Sequence, residues 1–366
     1  MLRIARECLK QCHEVEVNAL HWEGESPEGI KVTLAPVKAV SRLGLYRRYS
    51  EWVAQKIATD QPDVVIGFNK MPHLDVYFAA DSCFLQKAET QRGSYYKYTP
   101  RYKHFSNYEA AVFGANSKTH SLILSPQQQI EYSQCYPGCK ERLHELPAGL
   151  SEDRRVMRRD PEERAALRKE LGIEENERLL LQVGSGFKIK GIDRALKAMA
   201  ALPEHWRQRT RYILVGQDKP NPYLRLARKL GLSDRFTVFS GRDDIPRFLQ
   251  GADLLLHPAY QESAGYTLLE ATTAGLPVLT TAACGYAFHI EQAQSGEVCA
   301  EPFNQDELNR RLLHMIENLD SAPWSENGLA YGQRPELYSL PQVAAQLITS
   351  IGSDLQECKS ATGASS

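Results

Sequence analysis

Leu179-Leu180-Leu181-Gln182-Val183-Gly184-Ser185-Gly186-Phe187-Lys188-Ile189-Lys190-Gly191 is the stretch that decides the fold. A short apolar run ends in a glycine-rich turn, and from Ile192 to Ala201 apolar residues return at helical spacing. A buried strand that feeds a helix through such a turn is half of a β–α–β unit. Outward from it the same pattern repeats. Tyr212–Val215, Phe236–Phe239, Leu254–His257 and Val278–Thr280 are strand-sized apolar runs, and Tyr223–Leu230, Ile245–Leu249 and Tyr266–Ala274 are the helical stretches among them. Short buried strands alternating with helices predict a parallel sheet covered on both faces.

The first half follows the rule more loosely. It opens on a helix, with Leu2, Ala5, Cys8, Leu9 and Cys12 at helical spacing. Strands follow at Val15–Leu20, Ile30–Val37, Val64–Phe68, Val76–Ala80 and Ser121–Ser125, with a helix over Leu45–Thr59. The break between halves falls near Pro147-Ala148-Gly149-Leu150. The expected architecture is therefore α/β: two Rossmann-like doubly wound lobes over residues 1–147 and 148–340, then a closing amphipathic helix (Pro341–Ile351) and a frayed tail within 341–366. An interlobe cleft at the carboxyl ends of both sheets is the expected ligand site. A doubly wound lobe ordinarily begins with its central strand and a glycine-rich turn. Here the first residues are already helical, so the first strand of the N-terminal lobe is expected to be missing.

Composition narrows the function. The 366 residues are 42% hydrophobic and 24% charged, with a formal net charge of −1, which suits a folded chain and argues against bulk binding to nucleic acid. No apolar run approaches the ~18 residues of a membrane span. The start, Met1-Leu2-Arg3-Ile4-Ala5-Arg6, does not read as a secretory signal. The eight cysteines lack zinc-site spacing and read as reduced thiols of a cytoplasmic protein; no metal site is expected.

Two segments carry chemistry. In His257-Pro258-Ala259-Tyr260-Gln261-Glu262-Ser263-Ala264-Gly265-Tyr266-Thr267-Leu268-Leu269-Glu270-Ala271, a strand ends and a helix begins. Ala264 and Gly265 place backbone N–H groups at the helix start, where anions are favoured. Glu262 in the loop and Glu270 one turn into the helix either bind the hydroxyls of a sugar and a ribose, or serve as a cap and a solvated surface acid. In the turn after Val183, Gly184 admits close backbone approach, and Lys190 is either a point charge for a diphosphate or a plain surface charge. The turn has neither the Gly-x-Gly-x-x-Gly of a dinucleotide fold nor a Gly-Lys-Ser/Thr phosphate loop.

Together with Val215-Gly216, Ser240-Gly241-Arg242, Ala252-Asp253 and Gly275-Leu276-Pro277-Val278, these segments resemble the retaining, two-lobed (GT-B) glycosyltransferases of family 4, whose signature is Glu-x7-Glu. Longer strings, from Gly67-Phe68-Asn69-Lys70-Met71-Pro72-His73-Leu74-Asp75 through Asp81 and from Leu256 to Glu262, resemble the lipopolysaccharide core glucosyltransferases within that family, from Met1 to about residue 350. The resemblance implies transfer of a hexose, glucose foremost, from a UDP-sugar to the inner-core heptose of a lipid-linked acceptor, with UDP-glucose as donor substrate and no cofactor or metal. It implies that Lys190 and Arg154 neutralise the diphosphate. Glu270 would bind the ribose, the segment around Arg242 would hold the base, Glu262 would contact the donor sugar, and Asp81 the acceptor. Ile189 departs from the pattern, standing where the family carries an arginine. The family's first strand and Gly-Gly loop are not found ahead of Met1, so this chain is expected to bind UDP through its second lobe and to transfer sugar poorly.

A third stretch, Phe84–Tyr108, carries Lys87, Arg92, Lys97, Arg101 and Lys103 against Glu89, with aromatics interleaved. Lys97, Tyr98, Arg101, Tyr102 and Lys103 suit the headgroup zone of an anionic membrane. Stacking on bases or an ordinary surface are the alternatives. The family's lipid acceptor favours the membrane, making the chain peripheral on the inner face of a bacterial inner membrane. Two rival functions remain at this stage. One is a nucleotide-sugar epimerase of the same fold. The other is a catalytically impaired UDP-sugar-binding module.

Overall fold

The alternation of apolar runs and helices becomes two sets of parallel strands in the computed structural model, which describes residues 1–363. The chain divides into two units. Unit 1 joins Met1–Gly149 to the segment from Tyr338 onward, and unit 2 is Leu150–Leu337. The division thus falls two residues after the expected one. The closing helix, Leu340–Gly363, belongs with unit 1 and is longer than its apolar periodicity suggested. The tail expected to fray is helical to Gly363, and residues 364–366 lie outside the described residues.

Unit 2 holds six strands: β7 (Arg178–Val183), β8 (Thr210–Val215), β9 (Phe236–Phe239), β10 (Leu254–His257), β11 (Val278–Thr281) and β12 (Gly296–Cys299). Unit 1 supplies β1 to β6, which are Val15–Ala19, Ile30–Leu34, Ile66–Gly67, Val76–Phe78, His120–Ile123 and Leu143–Glu145. The unit 2 sheet runs β12-β11-β10-β7-β8-β9, every pair parallel. From β7 the chain builds outward through β8 and β9, then returns to lay β10 on the other side of β7 and builds outward again. The order therefore reverses between β7 and β10, and the carboxyl ends of those two strands are where a doubly wound sheet receives its ligand.

Period-two alternation explains why the sheet is buried on both faces. Leu180, Tyr212, Leu214, Leu254 and Leu256 turn to one face, beneath helices Ile192–Ala200 and Gln305–Asn318. Leu179, Leu181, Ile213, Val215 and Leu255 turn to the other, beneath helices Pro161–Glu170, Ile245–Gly251 and Tyr266–Thr273.

In unit 1 the strands form two separate sheets, β1-β2 and β3-β4-β5-β6, both parallel. The second is built on Tyr77, Phe113, Ile123 and Tyr132, with the rings of Phe113 and Tyr132 stacked 3.9 Å apart. Helix Arg42–Asp60 bridges the two sheets: Val53 joins that core, and the Tyr49 hydroxyl donates to the Asn18 carbonyl on β1. The first helix, Leu2–Lys10, packs against the closing helix, where His13 Nε2 lies 2.8 Å from the Thr349 hydroxyl.

Candidate functional site

The site of unit 2 is built by three loops at the carboxyl ends of β7, β10 and β11. The first is Gly184–Gly191. Gly184 has φ +135° and Gly191 has φ +71°, a region open to glycine. A Cβ on Gly191 would stand 2.0 Å from the Pro258 carbonyl oxygen, so only glycine lets this loop lie against the loop after β10. The two loops are then stitched by the Tyr260 amide, which donates to the Ile189 carbonyl (2.7 Å), and the first loop is braced onto β7 by Gln182 Nε2, which donates to the Lys190 carbonyl (2.7 Å). Arg194, one turn into the next helix, donates to the Ala259 carbonyl (3.0 Å). Its guanidinium is sandwiched by the rings of Tyr260 and Phe303 at 3.6 and 3.5 Å. The third loop fixes the other side of Glu262, whose amide donates to the Ala283 carbonyl (3.0 Å) and whose carbonyl accepts from the Gly285 amide (2.9 Å).

Held in this way, Glu262 is the hub. Its Oε1 pairs with the Lys190 ammonium, and its Oε2 lies 2.7 Å from His257 Nε2. Burial pushes the Glu262 carboxyl up, but the hydrogen bonds and charges of His257 and Lys190 outweigh it and hold the group at about 2. His257 ends β10 and is fully buried. Burial pushes its imidazolium down; contacts with Cys284 and Glu262 overcome this and raise it to about 9. The result is a cation–anion–cation chain, Lys190–Glu262–His257. Potential ligand atoms of His257, Glu262 and Cys284 also lie within 4.8 Å of one another. Both carboxylate oxygens already have cationic partners, and a metal ion there would have to displace them.

Glu270 lies on helix Tyr266–Thr273, after Gly265, which caps that helix with φ +104°. Ala264 is buried and its carbonyl accepts from the Tyr286 amide. Burial raises the Glu270 carboxyl, Arg154 opposing. Arg154 Nε stands 3.8 Å from Glu270 Oε1, and its buried Nη1 has no hydrogen-bond partner. Each glutamate of the Glu-x7-Glu element thus faces one of the two cations assigned to the diphosphate. Arg242 is engaged elsewhere: it makes a bidentate pair with Asp244 (2.7 and 2.8 Å) and lies over the Phe248 ring.

A model for the family described as "Glycosyl transferases group 1" matches residues 163–329, which is most of unit 2. The lipopolysaccharide glucosyltransferase WaaG of Escherichia coli is 44% identical over 349 residues, covering 95% of this chain and 93% of that protein. A solved structure of WaaG superposes with a TM-score of 0.86 over 95% of this chain and 94% of that one. This chain belongs to the lipopolysaccharide glucosyltransferase family. At the level of fold alone, the Anabaena protein HepE in complex with UDP-glucose is also similar, with a TM-score of 0.64 at 17% identity, covering 98% and 95% of the two chains.

As a glycosyltransferase of this family, the chain draws Lys190, Glu262, Gly184, Ala264, Gly265, Glu270 and Arg154 into one region at the end of the unit 2 sheet, across more than a hundred positions of sequence. The reading of the residues assigned no role to His257, Cys284 or Arg194. A histidine closing an apolar strand looks like core, and only the fold brings Cys284 to it and Lys190 to Glu262.

In unit 1, Asp81 is exposed on the loop after β4, where its carbonyl accepts from the Tyr132 hydroxyl (2.9 Å) and Gln128. The basic aromatic stretch folds as helix Phe84–Gln91, a turn Ser94–Tyr98 and helix Pro100–Phe113. Lys97, Tyr98, Arg101 and Lys103 are exposed; Tyr95 is 88% and Tyr98 77% accessible. Tyr102 departs from the expectation. It is half-buried, its ring 5.8 Å from those of Phe84 and Tyr96. Buried Glu109 ties the stretch to the core, accepting from the Phe84 and Leu85 amides (2.7 and 2.9 Å), the Lys70 ammonium (2.5 Å) and the Tyr136 hydroxyl (3.1 Å). Among the described residues no helix is long and apolar enough to cross a membrane.

Proposed function

We propose that this glycosyltransferase moves glucose from UDP-glucose, with retention, onto the inner-core heptose of lipopolysaccharide, working on the inner face of the inner membrane. The observation that carries the reading is the pairing of Lys190 with Glu262 and of Arg154 with Glu270 at the switch point of the unit 2 sheet. The leaving group is a nucleoside diphosphate that gains charge as its bond to the sugar breaks. Lys190, Arg154 and the helix start at Ala264–Gly265 supply fixed positive potential for it, with no metal required. As Lys190 turns toward the diphosphate, Glu262 is released to face the sugar, where a carboxylate favours the oxocarbenium-like state. In this reading Glu270 would take the ribose, the segment around Arg242 the base, and Asp81 the acceptor. The exposed Lys97, Tyr98, Arg101 and Lys103 supply a surface for anionic headgroups.

The test is turnover of UDP-glucose on heptose-terminated lipid acceptor, with EDTA present throughout. Glu262→Gln should bind UDP as the parent does while turnover falls by at least about 100-fold. Undiminished turnover in that variant would refute the assignment of Glu262, and turnover abolished by EDTA would refute the metal-free account of the leaving group.

A further inference from the structure

We propose that His257 is the positioning residue of this site: its imidazole holds Glu262 aimed and charged after Lys190 has left the carboxylate for a donor diphosphate. The inference rests on the proposed donor reading, since it is the diphosphate that draws Lys190 away.

Three observations carry it. First, Glu262 has two cationic partners on different oxygens, Lys190 on Oε1 and His257 Nε2 at 2.7 Å from Oε2. Only one of them is mobile. Lys190 is a flexible side chain on a glycine-bounded loop with its head partly exposed, whereas His257 is fully buried at the end of β10. Second, the backbone of His257 is pinned: its carbonyl accepts from the Thr280 hydroxyl at 3.0 Å, and Thr280 is itself buried on β11. A ring fixed there can follow neither the ligand nor the lysine. Third, the ring is oriented by its contacts with Glu262, at Nε2, and with Cys284, and neither contact depends on Lys190. The titratable groups facing the imidazole are Glu262 and Cys284, with Lys190 reached through Glu262.

The consequence for the reaction is a division of labour. In the structure the carboxylate is shared by two cations. With donor bound, Lys190 satisfies phosphate oxygens and the imidazolium alone offsets the cost of an ionised, largely buried carboxylate. Without His257, Glu262 would be free to rotate and to take up a proton as soon as the donor arrives.

The experiment compares His257→Gln, whose amide keeps a donor near Nε2 without charge, and His257→Phe, which keeps bulk without a donor, with the parent and with Glu262→Gln. Calorimetry with UDP and a pH profile of kcat from pH 4 to 9 are measured for each. His257→Phe should bind UDP within about twofold of the parent and lose kcat by about 10–100-fold. His257→Gln should recover part of that loss at neutral pH, with the acid limb of its kcat profile moved up by at least about one pH unit. A purely structural histidine would not move that limb. Parent-like kcat and an unmoved acid limb in His257→Gln, with Glu262→Gln inactive, would overturn the role of His257 while leaving the donor reading intact. Full activity in Glu262→Gln would instead sink the reading on which it rests. Should His257→Phe fail to fold, the acid limb of His257→Gln decides alone.

Discussion

Raising the pH above neutrality should loosen unit 2 through one buried ring. His257 stands at about 9 in the folded protein against an ordinary 6.5. The folded chain therefore holds this proton more tightly than the unfolded chain does. The stability it contributes is complete below pH 6.5 and is lost as the pH rises to about 9. At 1.36 kcal/mol per pKa unit the difference corresponds to about 3 kcal/mol. That is a large share of the roughly 5–15 kcal/mol that holds a domain folded. On the acid side Glu262 behaves oppositely. Depressed from 4.5 to about 2, it contributes stability above pH 4.5 that disappears as the pH falls toward 2. The assay is urea unfolding from pH 6 to 9.5, followed by the fluorescence of Trp206 and Trp324, with Trp22 and Trp52 of unit 1 replaced by Phe so that only unit 2 reports. Glu262→Gln serves as the control: without the carboxylate, His257 keeps only Cys284 beside it and holds its proton less tightly, so the slope between pH 7 and 9 should shrink. A parent whose stability is flat across that window, or a variant with the parent's slope, would refute the ion-pair account of the site.

Lys190→Ala should weaken UDP binding by roughly 1.5–3 kcal/mol, the worth of a hydrogen bond to a charged group; calorimetry on the folded variant checks it. Gly191→Ala should lower the melting temperature and UDP affinity together. The positive φ alone costs about 1–3 kcal/mol, and the new Cβ would meet the Pro258 carbonyl oxygen at 2.0 Å. Neutralising Lys97, Arg101 and Lys103 should reduce sedimentation with anionic vesicles by about 1 kcal/mol per charge and flatten its salt dependence. Vesicle binding indifferent to both changes would return these residues to an ordinary surface.

The inner strands of the unit 2 sheet were legible because they are buried on both faces and read as apolar runs, whereas the edge strand β12, half-buried Gly-Glu-Val-Cys, was missed. Phe236–Phe239 and Leu254–His257 carry the same bounds in sequence and structure. Unit 1 was harder. β3 is two residues long and β6 is half-buried Leu143–Glu145, which leaves little pattern to read. The closing helix was visible as an amphipathic segment, but amphipathicity says that a helix has a buried face and not which unit buries it. The two glutamates were legible from their spacing. Their partners were not. The Lys190–Glu262 pair spans 72 positions, and His257, at the end of an apolar strand, carries no mark that separates a site residue from a core one.

The path of the chain through its two units has a consequence for the order of synthesis. The Leu150 amide is hydrogen-bonded to the Leu337 carbonyl at 3.0 Å, and the Leu340 amide lies 3.3 Å from the Ala148 carbonyl, so the chain leaving unit 1 runs beside the chain returning to it. A ribosome therefore finishes unit 2 before unit 1 has its last helix. At about 5–20 residues per second, the apolar side of Leu2–Lys10 waits roughly 17–70 s for its covering partner. During that interval Ile4 and Cys8, buried in the finished fold and outside the cluster that Ala5 forms with Val17 and Ile30, are nascent surface. The half of the chain made first is the last to close, and it is the half in which a chaperone would find something to hold.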